Sequence, residues 1–280
     1  MIQPHSVLLG PPPFFGGNWR RGPLAGLSLL GLAAVIVAFL APAAPRANAG
    51  RDLCAAPMTV TALADPLPHT ALRLAAGKSL TIVALGSSST YGTGASKPEY
   101  SYPSRLAALL RARYPNTEIR VINRGVGGEL ISDTTQRIAT EVVGDKADLV
   151  IWQVGTNDVL SDADPQFVMA SVRTGIRQLR QAGADVILMD LQYAPAVLTH
   201  RYRAMERALR ATAKATGVAV FQRFALMRDW TEHGNMKMSA MVSADHLHMT
   251  DASYDCLARQ LSGSIQRDTQ IATDALATKG

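Results

Sequence analysis

An aspartate and a histidine near the C-terminal end of the chain are spaced to share a proton. Asp245 and His248 stand three residues apart, just before an amphipathic segment. On one turn of chain, this spacing lets the carboxylate accept a hydrogen bond from imidazole Nδ1, which leaves Nε2 free to take a proton from a hydroxyl. Taken alone, such a pair is more often a helix-cap aspartate beside a surface histidine. A catalytic role for the pair therefore requires a hydroxyl and hydrogen-bond donors on other loops.

A run of three serines offers hydroxyls that such a base could activate. Ser87, Ser88 and Ser89 follow the apolar run Ile-Val-Ala-Leu at residues 82–85, which predicts a short strand buried on both faces. In parallel α/β sheets, ligands bind outside the carboxyl ends of the strands, which is where these serines fall. A plain turn or a backbone cradle for an anion would explain the same loop, so the serines alone do not establish a nucleophile.

Two further segments carry groups that can donate hydrogen bonds to a developing negative charge. Asn157, in Val-Gly-Thr-Asn-Asp-Val-Leu, follows another apolar run, and its amide can donate to an oxyanion. Gly127 and Gly128 stand at the entrance to a helical pattern, where backbone N–H groups lack partners. An asparagine is also an ordinary turn residue. Asn157 and the two glycines therefore indicate an oxyanion hole only when they are taken together.

The elements that must position these residues alternate between strand and helix. Apolar runs predict strands at 80–85, 118–122, 149–154, 186–191 and 218–221. Apolar residues at helical spacing predict helices at 102–114, 131–143, 165–182, 199–216 and 252–265, with a fraying polar tail from Arg267 to Gly280. Such alternation predicts an α/β fold: a three-layer, flavodoxin-like, mostly parallel sheet of about five strands with helices on both faces.

The first 49 residues read as an export signal rather than as part of the fold. Arg20 and Arg21 precede an apolar run, and the Ala-Asn-Ala sequence at residues 47–49 is typical of a signal peptidase site. We therefore expect a signal peptide at 1–49, a single domain at 50–280, and an exported protein without stable membrane insertion. The alternative is an uncleaved membrane anchor, because the apolar run approaches the roughly 18 residues that can span a bilayer.

The charge balance and the cysteine content indicate which binding partners and which cross-links to expect. Removal of the signal would leave 25 basic and 22 acidic residues, an excess too small and too scattered to indicate nucleic-acid binding. Cys54 and Cys256 are the two cysteines of the chain. Export to an oxidising compartment permits a disulfide between them, whereas two free buried thiols are equally compatible with the sequence.

Four blocks in this order resemble the SGNH (GDSL-type) hydrolase family. They are Gly-Ser-Ser-Ser-Thr at 86–90, Gly-Val-Gly-Gly at 125–128, Gly-Thr-Asn-Asp at 155–158 and Asp-His-Leu-His at 245–248. The resemblance implies that Ser88, two residues after the first glycine, is the nucleophile. It implies that Asp245 orients the general base His248. It also implies an oxyanion hole formed by the Ser88 and Gly128 N–H groups and the Asn157 amide.

The same resemblance assigns lesser roles to the neighbouring residues. Ser87 stands where the family most often has aspartate, Ser89 and Thr90 become loop-building residues, and Asp158 is structural. His246 lacks the spacing to pair with Asp245 and is a neighbour only.

The resemblance implies a carboxylic ester hydrolase that works through an acyl-enzyme and needs no cofactor or metal. Its expected substrates are short acyl esters, O-acetyl groups among them, of carbohydrates or lipids. Tyr193 after the fourth strand and Met249 beside the base are the expected substrate contacts. The alternative hypothesis is an exported module on the same fold that binds an anion or a glycan without turnover. It explains the serine and glycine loops but not the Asp245–His248 pair.

Overall fold

A five-stranded parallel sheet forms the centre of the protein. The computed structural model describes residues 52–234 and 236–277. The strand order is β2-β1-β3-β4-β5 and every pairing is parallel. The strands are β1 Leu80–Gly86, β2 Ile119–Gly125, β3 Leu149–Gln153, β4 Asp185–Met189 and β5 Ala219–Phe221. Each strand falls where an apolar run predicted it. The runs that form β1, β3 and β4 are continuously apolar because these three strands are buried on both faces.

Helices occupy most of the remaining described chain. They are α1 Met58–Thr61, α2 Pro68–Ala75, α3 Ser88–Tyr91, α4 Tyr102–Arg113, α5 Ile131–Arg137, α6 Thr156–Leu160, α7 Pro165–Gln181, α8 Pro195–Leu198, α9 Tyr202–Thr216, α10 Arg223–Glu232, α11 Met238–Met241 and α12 Asp251–Ala277. A 3₁₀ turn at Pro98–Tyr100 precedes α4, and a π-helical turn at Ile138–Val142 extends α5. No helix among the described residues is both long and apolar enough to cross a membrane.

The strand order places helices on both faces of the sheet. The chain leaves β1 in one direction to form β2 and then crosses to the other side of β1 to form β3. Right-handed crossovers therefore put the β1–β2 connection on one face and the later connections on the other. In agreement, α12 packs on α4 and α2, whereas α7 packs on α9 and α5. The predicted three-layer, flavodoxin-like class is confirmed.

The expectation of a fraying C-terminal tail is wrong. Helix α12 continues through Ala277. Its polar residues hold the segment that precedes β1: the Asp268 carboxylate accepts the Leu67 N–H at 2.8 Å, and Arg267 donates to the Thr61 carbonyl at 3.2 Å. These contacts are hydrogen bonds, so a search for apolar residues at helical spacing does not detect them. The expected signal peptide, residues 1–49, lies outside the described residues.

A disulfide joins the start of the described chain to the last helix. Cys54 and Cys256 are bonded, with their Cα atoms 4.7 Å apart, and both are buried. The Cys54 carbonyl also accepts hydrogen bonds from Trp230 and Gln260. The disulfide hypothesis, rather than the two free thiols, is therefore confirmed.

Removing this disulfide should destabilise the protein without touching the serine loop. The bridge closes a loop with a sequence separation of 202 residues, and a cross-link over so long a loop stabilises by about 3–5 kcal/mol in the chain-entropy view. We expect the Cys54→Ala/Cys256→Ala variant to lose about 2–5 kcal/mol of unfolding free energy in urea titrations. The wild type in reductant should match the variant, and identical midpoints for oxidised wild type and variant would contradict the expectation.

Candidate active site

The serine run begins α3 directly after β1, at the edge where the parallel strands end. Gly86 closes the strand, and a Cβ there would collide with Thr90 Oγ1 and lie 2.8 Å from Gln153 Oε1. Glycine is thus required for Gln153, the last residue of β3, to pack under the loop. Gln153 Oε1 accepts the Ser87 N–H and the Thr90 hydroxyl, each at 3.0 Å.

Each of the three serine hydroxyls has a different partner. The Ser87 hydroxyl accepts from Gln153 Nε2 at 3.0 Å, and the Ser89 hydroxyl donates to Gln192 Oε1 at 2.6 Å. Both of these serines are buried. Ser88 is partly exposed, and its Oγ lies 2.7 Å from His248 Nε2. Only the middle hydroxyl of the run therefore faces the imidazole.

Asp245 holds the other side of the His248 ring. Its Oδ2 lies 2.6 Å from His248 Nδ1, and because a carboxylate can only accept, Nδ1 carries the proton and Nε2 presents its lone pair to Ser88. Oδ1 accepts from the Ser243 hydroxyl at 2.7 Å and from the Leu247 and His248 N–H groups at 2.9 Å each. Burial alone would raise the pKa of Asp245, but these hydrogen bonds, first that of His248, hold its pKa well below the usual range.

The loop that carries His248 is tied to the body of the protein at several points. Val242 pairs with Met249 in an antiparallel bridge, and the Ser243 N–H donates to the His248 carbonyl at 2.8 Å. Gly94 approaches from the serine side with φ +91°, and a Cβ there would collide with the Met249 carbonyl oxygen. A larger residue at position 94 would therefore push the loop away from Ser88.

Two hydrogen-bond donors lie on the neighbouring loops. Gly128 is exposed with φ +82°, a left-handed conformation that favours glycine. The Asn157 amide donates to the Glu129 carbonyl at 2.8 Å, so the asparagine is held next to the Gly-Gly turn; among the described residues its second amide N–H has no acceptor. The Val126 N–H donates to the Gly86 carbonyl at 3.0 Å and joins this turn to the serine loop. Within residues 52–234 and 236–277, the Ser88 and Gly128 N–H groups have no acceptor.

The remaining predicted residues take different places. Asp158 is buried, and its Oδ1 accepts the Ile131 N–H at 3.3 Å at the start of α5; burial raises its pKa. His246 is exposed with φ +63°, and its carbonyl accepts the Ala196 N–H. Tyr193 is half-buried, with its ring edge-on to Phe224 at 5.2 Å between centroids.

Met249 requires a correction. It is completely buried in the hydrophobic core, so its side chain is not available to a substrate at the surface. The position beside His248 suggested a pocket wall, but the antiparallel bridge to Val242 turns this residue inward.

Sequence reasoning missed two glutamines that hold the site together. Gln192, just after β4, is completely buried; its Oε1 accepts from Ser89 and its Nε2 donates to the Leu247 carbonyl at 2.9 Å. One side chain thus joins the serine loop to the histidine loop. Gln153 similarly joins the end of β3 to the serine loop through its hydrogen bonds to Ser87 and Thr90. The available signal was a glutamine directly at the end of each of two apolar strands.

A buried arginine and a buried aspartate were not predicted from the sequence. Arg223, at the start of α10, is completely buried and donates to the Asp190 carbonyl from Nε and from a terminal nitrogen, at 3.1 and 2.7 Å. The Asp190 carboxyl accepts the Phe224 N–H at 2.9 Å, and burial raises its pKa to about 7. These groups fix the loop after β4 that continues into Gln192 and Tyr193.

The arrangement has a definite chemical capability. A hydroxyl next to an imidazole, itself oriented by a carboxylate, can be deprotonated as it attacks an electrophile. Backbone and amide N–H groups on the adjoining loops can stabilise the charge that then develops on oxygen. No part of this capability requires a metal.

Comparisons with known proteins agree with the geometry. Residues 53–271 match the non-GDSL lipase-like family. An acetylxylan esterase from Geobacillus stearothermophilus is 35% identical over 118 residues, which cover 39% of this chain and 51% of the relative. An arylesterase from Vibrio mimicus is 26% identical over 97 residues, covering 35% of this chain and 48% of the relative. The chain thus spans about half the length of these curated relatives.

A solved structure shares the fold. A two-domain esterase active on acetylated mannans, crystallised with mannopentaose, superposes with a TM-score of 0.61 at 19% identity, over 75% of this chain and 56% of that one. The resemblance to SGNH-type hydrolases noted in the four sequence blocks is confirmed. The family match extends from the residue before Cys54 into the last third of α12, and the chain accordingly belongs to the non-GDSL lipase-like family.

Proposed function

We propose that this protein is an exported serine ester hydrolase that removes short acyl groups, O-acetyl groups foremost, from carbohydrates or lipids. The observation that carries the proposal is the continuous hydrogen-bonded path from Asp245 through His248 to Ser88, with separations of 2.6 and 2.7 Å. A module that only binds an anion would have no use for this path. Membership of a lipase-like family supports the same reaction class.

The mechanism follows from the proposed roles. Ser88 Oγ attacks the ester carbonyl while His248 Nε2 accepts the hydroxyl proton, and Asp245 stabilises the imidazolium. The Ser88 and Gly128 N–H groups and the Asn157 amide stabilise the tetrahedral oxyanion. His248 then protonates the departing alcohol, leaving an acyl-Ser88 ester. Water, activated by the same histidine, releases the acid and restores the serine.

The substrate class is supported by the names of the relatives and by the open position of Ser88. Two of them, the acetylxylan esterase and the esterase active on acetylated mannans, act on acetylated sugars. Hydrolysis of p-nitrophenyl esters from acetyl to dodecanoyl, together with acetate release from acetylated xylan and mannan, tests the proposal. We expect the acetyl ester to be preferred. Absence of turnover on every ester would favour the non-catalytic binding module.

The oxyanion role of Asn157 yields a specific prediction. Asn157→Ala removes the amide that the Glu129 carbonyl orients, and loss of one oxyanion donor typically lowers kcat by about 10²–10³-fold. We expect this loss in kcat for p-nitrophenyl acetate, with a much smaller change in KM, because the donor acts mainly on the transition state. Thermal melting checks that the variant is folded. A folded variant with near-normal kcat would remove Asn157 from the proposed hole.

The proposed export rests on the N-terminal sequence and gains support from the disulfide. A Cys54–Cys256 bridge persists in oxidising compartments and is rare where thiols are kept reduced. We expect the protein recovered outside the cytoplasm to begin near Gly50. N-terminal sequencing is the measurement, and recovered protein that still begins at Met1 would favour the membrane-anchor alternative.

A further inference from the structure

A cavity lined by arginine and tyrosine side chains lies against the segment that follows β4. Its volume is about 710 Å³, within the range of roughly 300–1,000 Å³ that is usual for ligand pockets. Its walls come from the segment after β4 and from helices α9 and α10. Its lining includes Tyr193, Arg201, Tyr202, Arg203, Arg207 and Arg228. Neither Ser88 nor His248 lines it, so it is a separate compartment.

The segment that forms one wall of this cavity also contacts the candidate active site. Tyr193 directly follows Gln192, whose amide bonds to the Ser89 hydroxyl and to the Leu247 carbonyl. Three residues further on, the Ala196 N–H donates to the His246 carbonyl at 3.0 Å. The cavity and the candidate active site are therefore joined by one short segment of chain, residues 192–196.

The cavity is strongly cationic. Of the residues that the structure describes, four arginines and one carboxylate line it; the carboxylate is that of Glu232, 3.8 Å from Arg228. Arg201, Arg203 and Arg207 are exposed, and none has a carboxylate within 4.0 Å in the part of the chain that the structure describes. The nearby Glu206 bonds to Arg210 at 3.3 Å. Burial raises the pKa of Glu206, and the charges of Arg210, Arg228 and Arg203 oppose that rise, so this one carboxylate faces three arginines. Asp162 bonds to His200 at 3.2 Å. Positive charge therefore remains available for an anionic ligand.

Aromatic rings lie among these arginines. Tyr202 stacks on Phe224 with centroids 5.0 Å apart, and Tyr193 meets the same ring edge-on. The Arg203 guanidinium lies 5.5 Å from the Tyr202 centroid. Both tyrosines are partly exposed, and within the described residues their hydroxyls have no hydrogen-bond partner. The cavity thus offers flat apolar surfaces with polar tips, which suit the C–H faces and hydroxyls of sugar rings.

We propose that this cavity binds the uronic-acid residues of an acidic polysaccharide, so that the substrate is an O-acylated acidic glycan; the second half of this statement rests on the function proposed above. Guanidinium groups recognise carboxylates in a planar, two-point geometry, and the tyrosines supply the sugar contacts. A concave site with aromatic walls fits a saccharide chain better than a flat membrane surface.

Binding can be tested independently of turnover. The probe is unesterified tetragalacturonate, with neutral xylotetraose and a single-stranded DNA of equal charge as comparators, titrated calorimetrically into the Ser88→Ala protein. We expect tetragalacturonate to bind at least about tenfold more tightly than xylotetraose, and its affinity to fall with added salt. Adding Arg203→Gln/Arg207→Gln should weaken binding by about tenfold or more, because hydrogen bonds to charged groups are lost. The matched control adds Arg113→Gln/Arg177→Gln, two exposed arginines outside the cavity, and should bind normally.

Activity measurements then connect the cavity to the substrate. With Ser88 intact, Arg203→Gln/Arg207→Gln should raise KM for acetate release from acetylated pectin or glucuronoxylan, and leave kcat/KM for p-nitrophenyl acetate within about twofold. Equal binding of tetragalacturonate and xylotetraose, or of tetragalacturonate and DNA, would overturn the inference, as would an unaffected arginine variant. Failure of the proposed function looks different, because then no ester is hydrolysed although tetragalacturonate still binds.

Discussion

Replacing Ser88 with alanine should lower ester turnover by at least about 10³-fold, and by as much as roughly 10⁶-fold if the protein behaves like a serine protease that loses its nucleophile. The reason is geometric. Ser88 Oγ is the one hydroxyl of the run within hydrogen-bonding distance of His248 Nε2, at 2.7 Å. The measurement is kcat/KM for p-nitrophenyl acetate, and the fold of the variant is checked by its melting temperature.

The two neighbouring serines are matched controls for this prediction. Ser87→Ala and Ser89→Ala each remove a buried hydroxyl whose partner is a glutamine. Leaving such a partner unsatisfied costs about 1–3 kcal/mol of stability, whereas turnover should stay within about tenfold of wild type. If either variant loses activity as completely as Ser88→Ala while remaining folded, the assignment of the nucleophile within the run is wrong.

Covalent labelling gives a second measurement of the same assignment. A fluorophosphonate reacts with a serine that an adjacent base activates. The label should appear on Ser88 in the wild type and should be lost in His248→Ala, because the unassisted hydroxyl is a weak nucleophile. Label on Ser87 or Ser89 would contradict the 2.7 Å contact as the source of reactivity.

The sheet could be predicted from the sequence because its strands are buried on both faces. Continuous apolar runs such as residues 149–152, Leu-Val-Ile-Trp, are shorter than an ordinary buried helix, so their length favours a buried strand. Short helices such as α6 and α11 could not be predicted in the same way, since four or five residues are too few to show a helical period. The helical extension of α12 depends on Asp268 and Arg267 finding backbone partners far away in the chain.

Some residues of the candidate site could likewise be predicted from local sequence, and others could not. Ser88, Asn157 and the Asp245–His248 pair could be predicted because each lies shortly after a predicted strand or shortly before a predicted helix, and the family resemblance then selects Ser88 within the serine run. Gln192 could not, because its role depends on two loops that lie 103 and 55 residues away in sequence. The inward position of Met249 depends on the bridge to Val242, which the sequence does not indicate. The role of a residue that joins two loops depends on tertiary contacts, which a local sequence pattern does not show.

Replacing Asp245 with asparagine should reduce turnover more than replacing it with alanine. In the wild type, three donors converge on Oδ1: the Ser243 hydroxyl and the Leu247 and His248 N–H groups. These donors require an acceptor, so the asparagine oxygen should take the Oδ1 position and turn its NH₂ group toward His248 Nδ1. Nδ1 must then accept, the ring proton moves to Nε2, and Nε2 can no longer take the proton of Ser88.

For a buried triad aspartate, this change of tautomer costs roughly 10⁴-fold in kcat. The Asp245 side chain is 45% exposed, so water should solvate the imidazolium in part, and we expect a loss of about 10²–10⁴-fold for asparagine. Alanine leaves Nδ1 open to water and permits the productive tautomer, so its kcat should be higher although the loop loses its acceptor and the protein is less stable. The kcat values and melting temperatures of the two variants should therefore rank in opposite orders.

The pH dependence of stability provides an independent check on the same carboxylate. Because the folded pKa of Asp245 lies below its ordinary value, the ionised group stabilises the protein above the unfolded pKa of about 4 and loses that contribution as pH falls through the folded pKa. The asparagine variant has no ionisable carboxylate at this position, so the stability advantage of the wild type should shrink as the pH is lowered below about 4. A constant difference in unfolding free energy across that range would contradict the lowered pKa of Asp245. An asparagine variant more active than the alanine variant would show that the hydrogen bonds to Asp245 do not control the tautomer of His248.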